Sequence, residues 1–227
     1  MSGAAASPTV ARVSSPSEPP VLNVAGLRLP RRETAVVLVT TFVLLIDHYH
    51  PLTLPIGPDL SRGLERVGLF LIVPLVALVV FGERPAEHGL RVGHWRIGVV
   101  LLVAGMLVVT PIVFAVAGLP EFRAYYHRGA TDLPAAVLGN AVDVGAAEFL
   151  FRGFLMWTLI RIAGPMGVVL ATFPFVFTHL GKPELETLST FFGGLGFGWI
   201  AWRTRSVLYG ALLHAYLISL IVIVTSR

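Results

Sequence analysis

Long apolar runs recur along most of this chain, and they restrict it to folds that a lipid bilayer can hold. Hydrophobic residues make up 55% of the sequence and charged residues only 13%, against roughly 25% charged in an ordinary soluble domain. Because the bilayer core has no water to satisfy backbone groups, such runs cross it as helices. The sequence therefore predicts an all-α, polytopic integral membrane protein.

A helix needs about 20 apolar residues to cross the hydrocarbon core, and the runs divide into about seven helices of that kind. We expect residues 1–33, rich in Ala, Ser and Pro, to be a disordered tail. Residues 34–82 should form the first two membrane helices and residues 83–227 the membrane core. The fourth helix is the longest and should tilt, protrude or break near Gly153. The predicted spans are residues 34–46 extended toward His50, 64–82, 96–118, 134–161, 165–180, 188–202 and 207–225.

Basic residues are unevenly divided between the two sets of loops that these spans create. The tail and the loops on its side hold more arginine than the opposite loops, which favours a cytoplasmic N-terminus. The arginines stand at the ends of apolar runs without interleaved aromatic residues, so the net charge of +4 does not indicate a nucleic-acid partner. The chain has no cysteine, which excludes disulfides, thiolate metal sites and a cysteine nucleophile.

Ionisable side chains lie inside the apolar helices of the second half. Charged groups at this depth cost several kcal/mol unless they face a bundle interior or a wet cavity. Glu148 and Arg152 are four residues apart and share one helix face, while His179 and His214 belong to the fifth and seventh spans. We expect all four to share one polar cavity, which Asn140 is placed to line. Such a set suits general acid–base chemistry, zinc binding by Glu148, His179 and His214, or a purely structural ion pair.

Two other polar or glycine-rich stretches have simpler interpretations. Asp47, His48 and His50 fall near the far end of the first span, where amphipathic side chains usually anchor a helix at the interface. Whether they take part in chemistry is open. Gly194 and Gly198 lie within an apolar helix, where small residues spaced four apart allow close packing of backbones. We therefore interpret the glycine run as a packing surface and not as a phosphate loop.

Three short motifs follow one another on the fourth, fifth and seventh spans. They read Glu-Phe-Leu-Phe-Arg at 148–152, Phe-Val-Phe-Thr-His at 175–179 and His-Ala-Tyr-Leu-Ile at 214–218. In this order they resemble the CPBP family (CAAX proteases and bacteriocin-processing enzymes, also called Abi), intramembrane glutamic endopeptidases once classed as metalloproteases. The resemblance covers roughly residues 83–227. It implies a catalytic core on the fourth to seventh helices and a location in a bacterial cell membrane.

The resemblance also implies roles for individual residues. Glu148 and His179 would activate a water molecule, and Arg152 would orient or neutralise Glu148. His214 would polarise the scissile carbonyl, and Phe175 begins the second motif as a supporting residue. No cofactor is implied, and zinc is the alternative. The expected partners are the bilayer and a membrane protein or peptide substrate, while the oligomeric state stays undetermined.

This sequence departs from the family pattern at two positions. Ala147 stands where the family has the first glutamate of a pair, and Ile218 stands where the third motif usually ends in Asn or Asp. The remaining glutamate would then act as the base, with a donor supplied by one of three residues: Asn140, Tyr216 or Ser219. The alternative is a catalytically silent relative that acts as an immunity or accessory protein. A transporter is less consistent, because inverted repeats would place broken helices in both halves.

Overall fold

The computed structural model describes residues 21–129 and 131–227. The chain divides into two units, Met1–Arg31 and Arg32–Arg227. Within the described part of the first unit, strands β1 (Val21–Val24) and β2 (Leu27–Pro30) pair in an antiparallel hairpin.

The hairpin corrects one prediction. We expected residues 1–33 to be disordered, but residues 21–30 form the two strands and α1 begins at Arg31. Ala25 and Gly26 join the strands with φ angles of 48° and 85°. Positive φ at both central positions is the geometry of a two-residue turn whose twist matches that of paired strands. The prediction for residues 1–20 lies outside the described residues.

The second unit consists of helices, which confirms the all-α class. Two of the long helices are continuous through π-helical segments, named π1 and π2 here. The elements are α1 (Arg31–Tyr49), α2 (Pro58–Arg66), π1 (Val67–Ile72), α3 (Val73–Val80), a 3₁₀ turn (Pro85–His88), α4 (Trp95–Val116), α5 (Pro120–Tyr126), α6 (Leu133–Glu148), π2 (Phe149–Leu155), α7 (Met156–Ala163), α8 (Met166–Phe177), α9 (Glu184–Thr204) and α10 (Leu208–Thr225).

Among the described residues, four helical stretches are long and apolar enough to cross a membrane: Pro58–Val80, Trp95–Val116, Leu133–Ala163 and Leu208–Thr225. A shorter apolar helix spans Met166–Phe177. The chain is thus an integral membrane protein. Helices α1 and α9 form where the first and sixth spans were predicted, but neither belongs to these four. The count of about seven spans stays a prediction.

The longest helix departs from α-helical geometry around Gly153, as its length predicted. Segment π2 lies between α6 and α7, and Glu148 immediately precedes it. Segment π1 packs against π2, and the rings of Phe70 and Phe151 meet edge to face at 6.3 Å between centroids. Because π-helical turns in proteins often occur at functional sites, this geometry draws attention to the first motif.

Loops that were predicted to share a side are in contact with one another. At one end, Arg161 pairs with Glu83, and Arg91 Nε donates to the carbonyl of Arg205 at 3.0 Å. At the other end, the loop that follows α5 is bonded to residues of α2 and to Ser226 after α10. The contacts therefore agree with the predicted alternation of loops.

A buried ion cluster joins α1, α2 and α6. Arg66 donates to both carboxylate oxygens of Asp47, at 3.0 and 3.1 Å, and to Asp143 Oδ1 at 2.6 Å. Arg62 also reaches Asp47, at 3.4 Å, but its side chain is 45% exposed. Asp47, whose role was open, thus has a structural partner. No local sequence pattern indicated that Arg66 would pair with it.

We expect Arg66→Met to lower the free energy of unfolding by about 3 to 5 kcal/mol, because it leaves buried carboxylates without a counter-charge. Arg62→Met is the matched control. It removes an exposed partner of the same Asp47 and should cost no more than about 1 kcal/mol. Denaturant unfolding of the purified protein in detergent measures both changes. Equal losses of unfolding free energy in the two variants would contradict the claim that the buried arginine stabilises the protein more than the exposed one.

Candidate active site

The first motif forms a buried ion pair at the junction of α6 and π2. Glu148 is 0% exposed and Arg152 is 2% exposed. Arg152 Nη1 lies 3.2 Å from Glu148 Oε1, and Nη2 lies 3.4 Å from the carbonyl oxygen of Gly194 on α9. The contact predicted from the four-residue spacing is present.

The third motif brings a second group to the same carboxylate. His214 projects from α10, and its Nδ1 lies 2.9 Å from Glu148 Oε1. An ionised carboxylate only accepts hydrogen bonds, so Nδ1 donates and the opposite nitrogen, Nε2, is directed away from Glu148. The ring of Phe197 stacks on His214 at 4.9 Å and fixes its plane. Glu148 and His214 therefore form a dyad across two helices.

Phe175 on α8 links the second motif to the other two. The guanidinium of Arg152 lies over its ring, 3.8 Å from the centroid. The rings of His179 and His214 approach it edge-on, at 4.7 and 5.9 Å. All three motifs thus meet around one aromatic ring, although no direct bond joins His179 to Glu148 among the described residues.

His179 lies just after the end of α8 and is 8% exposed. Its Nδ1 is 3.0 Å from the carbonyl oxygen of Phe175. Its own carbonyl accepts a bond of 2.8 Å from Thr187 Oγ1 on α9. Because the carbonyl of Phe175 can only accept a hydrogen bond, Nδ1 of His179 carries the hydrogen. Nε2 of His179 is therefore the nitrogen that can accept a proton.

Two buried atoms of the ion pair have no hydrogen-bond partner among the described residues. They are Glu148 Oε2 and Arg152 Nη1, the latter being within ion-pair distance of Glu148 but poorly aligned for a hydrogen bond. Buried polar atoms in proteins are nearly always satisfied. These two atoms are therefore the places where a water molecule or a polar group of a substrate would bind.

The supporting residues are placed differently from the dyad. Asn140 lies two turns before Glu148 on α6 and is half-buried. The hydroxyl of Tyr216 is 2.7 Å from Thr110 Oγ1 on α4. Two residues along a helix turn the side chain by about 200°, so Tyr216 points away from the face that carries His214.

Both departures from the family pattern lie in apolar surroundings. Ala147 is 5% exposed and belongs to the apolar cluster around π2. Ile218 is 5% exposed and packs in a second cluster with Val144 and Val222. Neither position offers a hydrogen-bond donor from its side chain.

The alternative zinc site needs a group of three ligands. Within residues 21–129 and 131–227, no three His, Asp or Glu side chains are grouped in a way that would hold a metal ion. Glu148 Oε1 is already in contact with both His214 and Arg152.

Sequence reasoning missed several residues that complete the site. Phe197 and Gly194 on α9 contact His214 and Arg152. A Cβ on Gly194 would lie 2.7 Å from Thr172 Cγ2 and 3.1 Å from the Phe175 ring. Only glycine permits this approach, which agrees with the predicted packing role. The available signal was the glycine spacing, but it did not identify the helix that would be contacted.

A family comparison agrees with this geometry. Residues 129–218 match the family model described as type II CAAX prenyl endopeptidase Rce1-like. Over this segment the chain is similar to that family. The Rce1-like segment begins just before α6 and ends at Ile218, so it contains all three motifs. At the level of the family, this similarity supports the prediction of an intramembrane protease. Neither the curated proteins nor the solved structures gave a match.

Proposed function

We propose that the chain is an intramembrane endopeptidase that cleaves a membrane-proximal peptide segment with a water molecule and no metal. The supporting observation is the bond between Glu148 on α6 and His214 on α10, buried beside Arg152. A buried carboxylate that holds a histidine ring in place is a recurrent arrangement in acyl-transfer enzymes.

The proposed roles rest on the side-chain atoms of the site that have no hydrogen-bond partner among the described residues. Glu148 Oε2 and His179 Nε2 accept hydrogen bonds from the attacking water, and one of them takes its proton. Arg152 balances the charge of Glu148. In its doubly protonated form, His214, held by Glu148 through Nδ1, donates from Nε2 to the oxygen of the scissile carbonyl. That interaction strengthens as negative charge develops on the oxygen.

The proposed setting is a bacterial cell membrane with the N-terminus in the cytoplasm. The uneven distribution of arginine supports this orientation. The substrate would be a protein or peptide that enters between the helices from the bilayer. Processing of a CAAX terminus, of a bacteriocin precursor or of a sorting tail would all present such a segment.

The proposal is tested by incubating the purified protein in liposomes with two probes. One probe is a farnesylated peptide that ends in a CAAX sequence, and the other is a mixture of single-span membrane peptides. Mass spectrometry identifies the products. We expect cleavage by the wild-type chain and loss of cleavage in Glu148→Gln and His179→Ala. Unchanged cleavage in both variants would refute the catalytic assignment.

A catalytically silent immunity or accessory protein is the second candidate. The apolar packing of Ala147 and Ile218 supports it, because both positions lack the polar groups of the family pattern. This candidate requires that the wild-type chain retain a membrane peptide without cutting it. Capture of a probe peptide that is recovered intact, from wild type and Glu148→Gln alike, would favour it over the protease.

We expect removal of divalent metals to leave cleavage unchanged. Dialysis against 1,10-phenanthroline, followed by the liposome assay, measures this, and addition of zinc serves as the reverse control. The reason is that water activation by Glu148 and His179 needs no Lewis acid. Loss of activity on chelation that zinc restores would instead support a metal-dependent hydrolase with Glu148, His179 and His214 as ligands.

A further inference from the structure

The connector between α3 and α4, residues 83–91, touches both helices that carry the dyad. The carbonyl of Gly89 accepts a bond of 3.0 Å from Val207 N, at the start of α10. Arg91 Nε donates to Arg205 O on the same side. The connector is thus fixed to the helix of His214 from outside the site.

His88 joins this connector to the helix of Glu148. The side chain is wholly buried, with 0% exposed. Its Nδ1 lies 3.3 Å from the carbonyl oxygen of Gly153, within π2. A carbonyl only accepts, so His88 donates this bond. His88 is therefore hydrogen-bonded to the residue directly after Arg152.

The other ring nitrogen of His88 is held by a second ion cluster. Nε2 lies 2.5 Å from Glu83 Oε2, and Glu83 pairs with Arg161 on α7 and, at 3.6 Å, with Arg32. Burial would raise the pKa of Glu83, but the bond from Arg161 and the close contact with His88 hold the pKa of this carboxyl below its ordinary value. The imidazole is consequently fixed at both nitrogens.

The connector and π2 approach each other closely at Gly153. A Cβ on Gly153 would lie 3.0 Å from the backbone oxygen of His88 and 2.6 Å from the ring of Phe149. Since the contact is with backbone, it cannot be relieved by a change of rotamer. A glycine after Arg152 is what lets His88 reach the π-helical turn.

We propose that His88 is a positioning residue, whose hydrogen bond to Gly153 holds π2 in the geometry that aligns the Glu148–Arg152 pair with His214. Its effect on catalysis rests on the proposed function. A π-helical turn has poorer intrinsic stability than an α-helix and needs local support. A misplacement of reacting groups by about 1 Å can lower a rate by about 100-fold.

The test compares three substitutions of His88. Asn places its amide nitrogen near the position of Nδ1 and can still donate to Gly153. Gln places its amide near Nε2 and can reach Glu83 but not Gly153, and Leu can reach neither. Two quantities are measured in lipid nanodiscs: amide hydrogen exchange of residues 149–155, and kcat and KM for the farnesylated peptide.

We expect His88→Leu to speed exchange at residues 149–155 by about tenfold and to lower kcat by about 100-fold, with KM unchanged. His88→Asn should restore both quantities, and His88→Gln should restore neither. His94→Leu changes an exposed histidine in the next loop and should alter nothing. Exchange elsewhere in the chain reports whether each variant is folded.

Two results would overturn the inference. Unchanged exchange at 149–155 in His88→Leu would show that the hydrogen bond does not support π2. Faster exchange with unchanged kcat would show that the support has no role in catalysis. A wild-type chain that cleaves nothing, while His88→Leu still loosens residues 149–155, would contradict the proposed function but not the support of π2.

Discussion

Replacing Glu148 with Gln is expected to lower the rate of peptide cleavage by about 10⁴-fold. The neutral amide takes no proton from water, and it can turn its NH2 group toward His214 and so favour the wrong tautomer of that ring. Loss of a carboxylate that orients a catalytic histidine costs about this much in serine proteases. The measurement is the initial rate of product formation in liposomes at equal amounts of folded protein.

Glu65→Gln is the matched control for that variant. Glu65 is also a buried carboxylate on a membrane helix, 6% exposed, and its Oε1 has no hydrogen-bond partner within the described part of the chain. It differs from Glu148 in lying on α2, outside the three motifs. Its replacement should leave the rate unchanged. Equal losses from both substitutions would show that any buried carboxylate matters for folding and would refute the specific role of Glu148.

Replacing His179 with Ala is expected to lower the rate by about 10² to 10⁴-fold, the usual contribution of a general base. The bond from Nδ1 to Phe175 O presents Nε2 as the proton acceptor, and alanine supplies no substitute. KM should change little, because in the proposed mechanism the ring contacts the attacking water and not the bound peptide. Steady-state kinetics with the membrane peptide measures both parameters.

His127→Ala controls for the loss of a histidine–carbonyl bond. The Nδ1 of His127 lies 3.2 Å from the carbonyl of Thr225, as that of His179 lies near Phe175, but it belongs to the loop after α5. We expect wild-type kinetics from this variant. A rate for His179→Ala that equals the rate for His127→Ala would contradict the assignment of His179 as a base.

The positions of the helices and of the main site residues could be predicted from the sequence for a simple physical reason. Lipid excludes unpaired charge, so Glu148, Arg152 and His214 had to face one another inside the bundle. The four-residue spacing of Glu148 and Arg152 predicted that these two side chains are in contact. Helix ends were also predictable, because Pro, Gly and charged residues divide the apolar runs.

The packing that completes the site was not predictable in the same way. Phe197 and Gly194 depend on how α9 lies against α8 and α10, which no local pattern specifies. Arg66 lies within the predicted second span, but no local pattern indicated which groups would neutralise its charge. In the structure Asp47 and Asp143 do so within the helix bundle.

The hairpin over residues 21–30 was missed because composition outweighed local pattern. Ala, Ser and Pro dominate the residues before it, yet Val21–Val24 and Leu27–Pro30 flank an Ala-Gly turn. A glycine between two short apolar runs is a hairpin signal. Gly26 was therefore the signal in the sequence for this hairpin.

Whether one glutamate suffices is the question posed by Ala147. Its side chain packs in the apolar cluster around π2, so a second carboxylate there would be buried among apolar groups. Glu148 meanwhile holds His214 with one oxygen, while the other has no hydrogen-bond partner among the residues that the structure describes. A single carboxylate can thus orient the histidine and accept a proton, which are separate tasks for its two oxygens.

The most direct test of this account is the cleavage rate of wild type, Glu148→Gln, His214→Ala and the double variant, measured with one peptide in one membrane. Groups that act as a unit show strongly non-additive losses. We predict that the wild type cleaves, that each single variant loses nearly all activity, and that the double variant is no slower than the slower single one. Losses that multiply in the double variant, or a wild type that does not cleave, would contradict a catalytic dyad of Glu148 and His214.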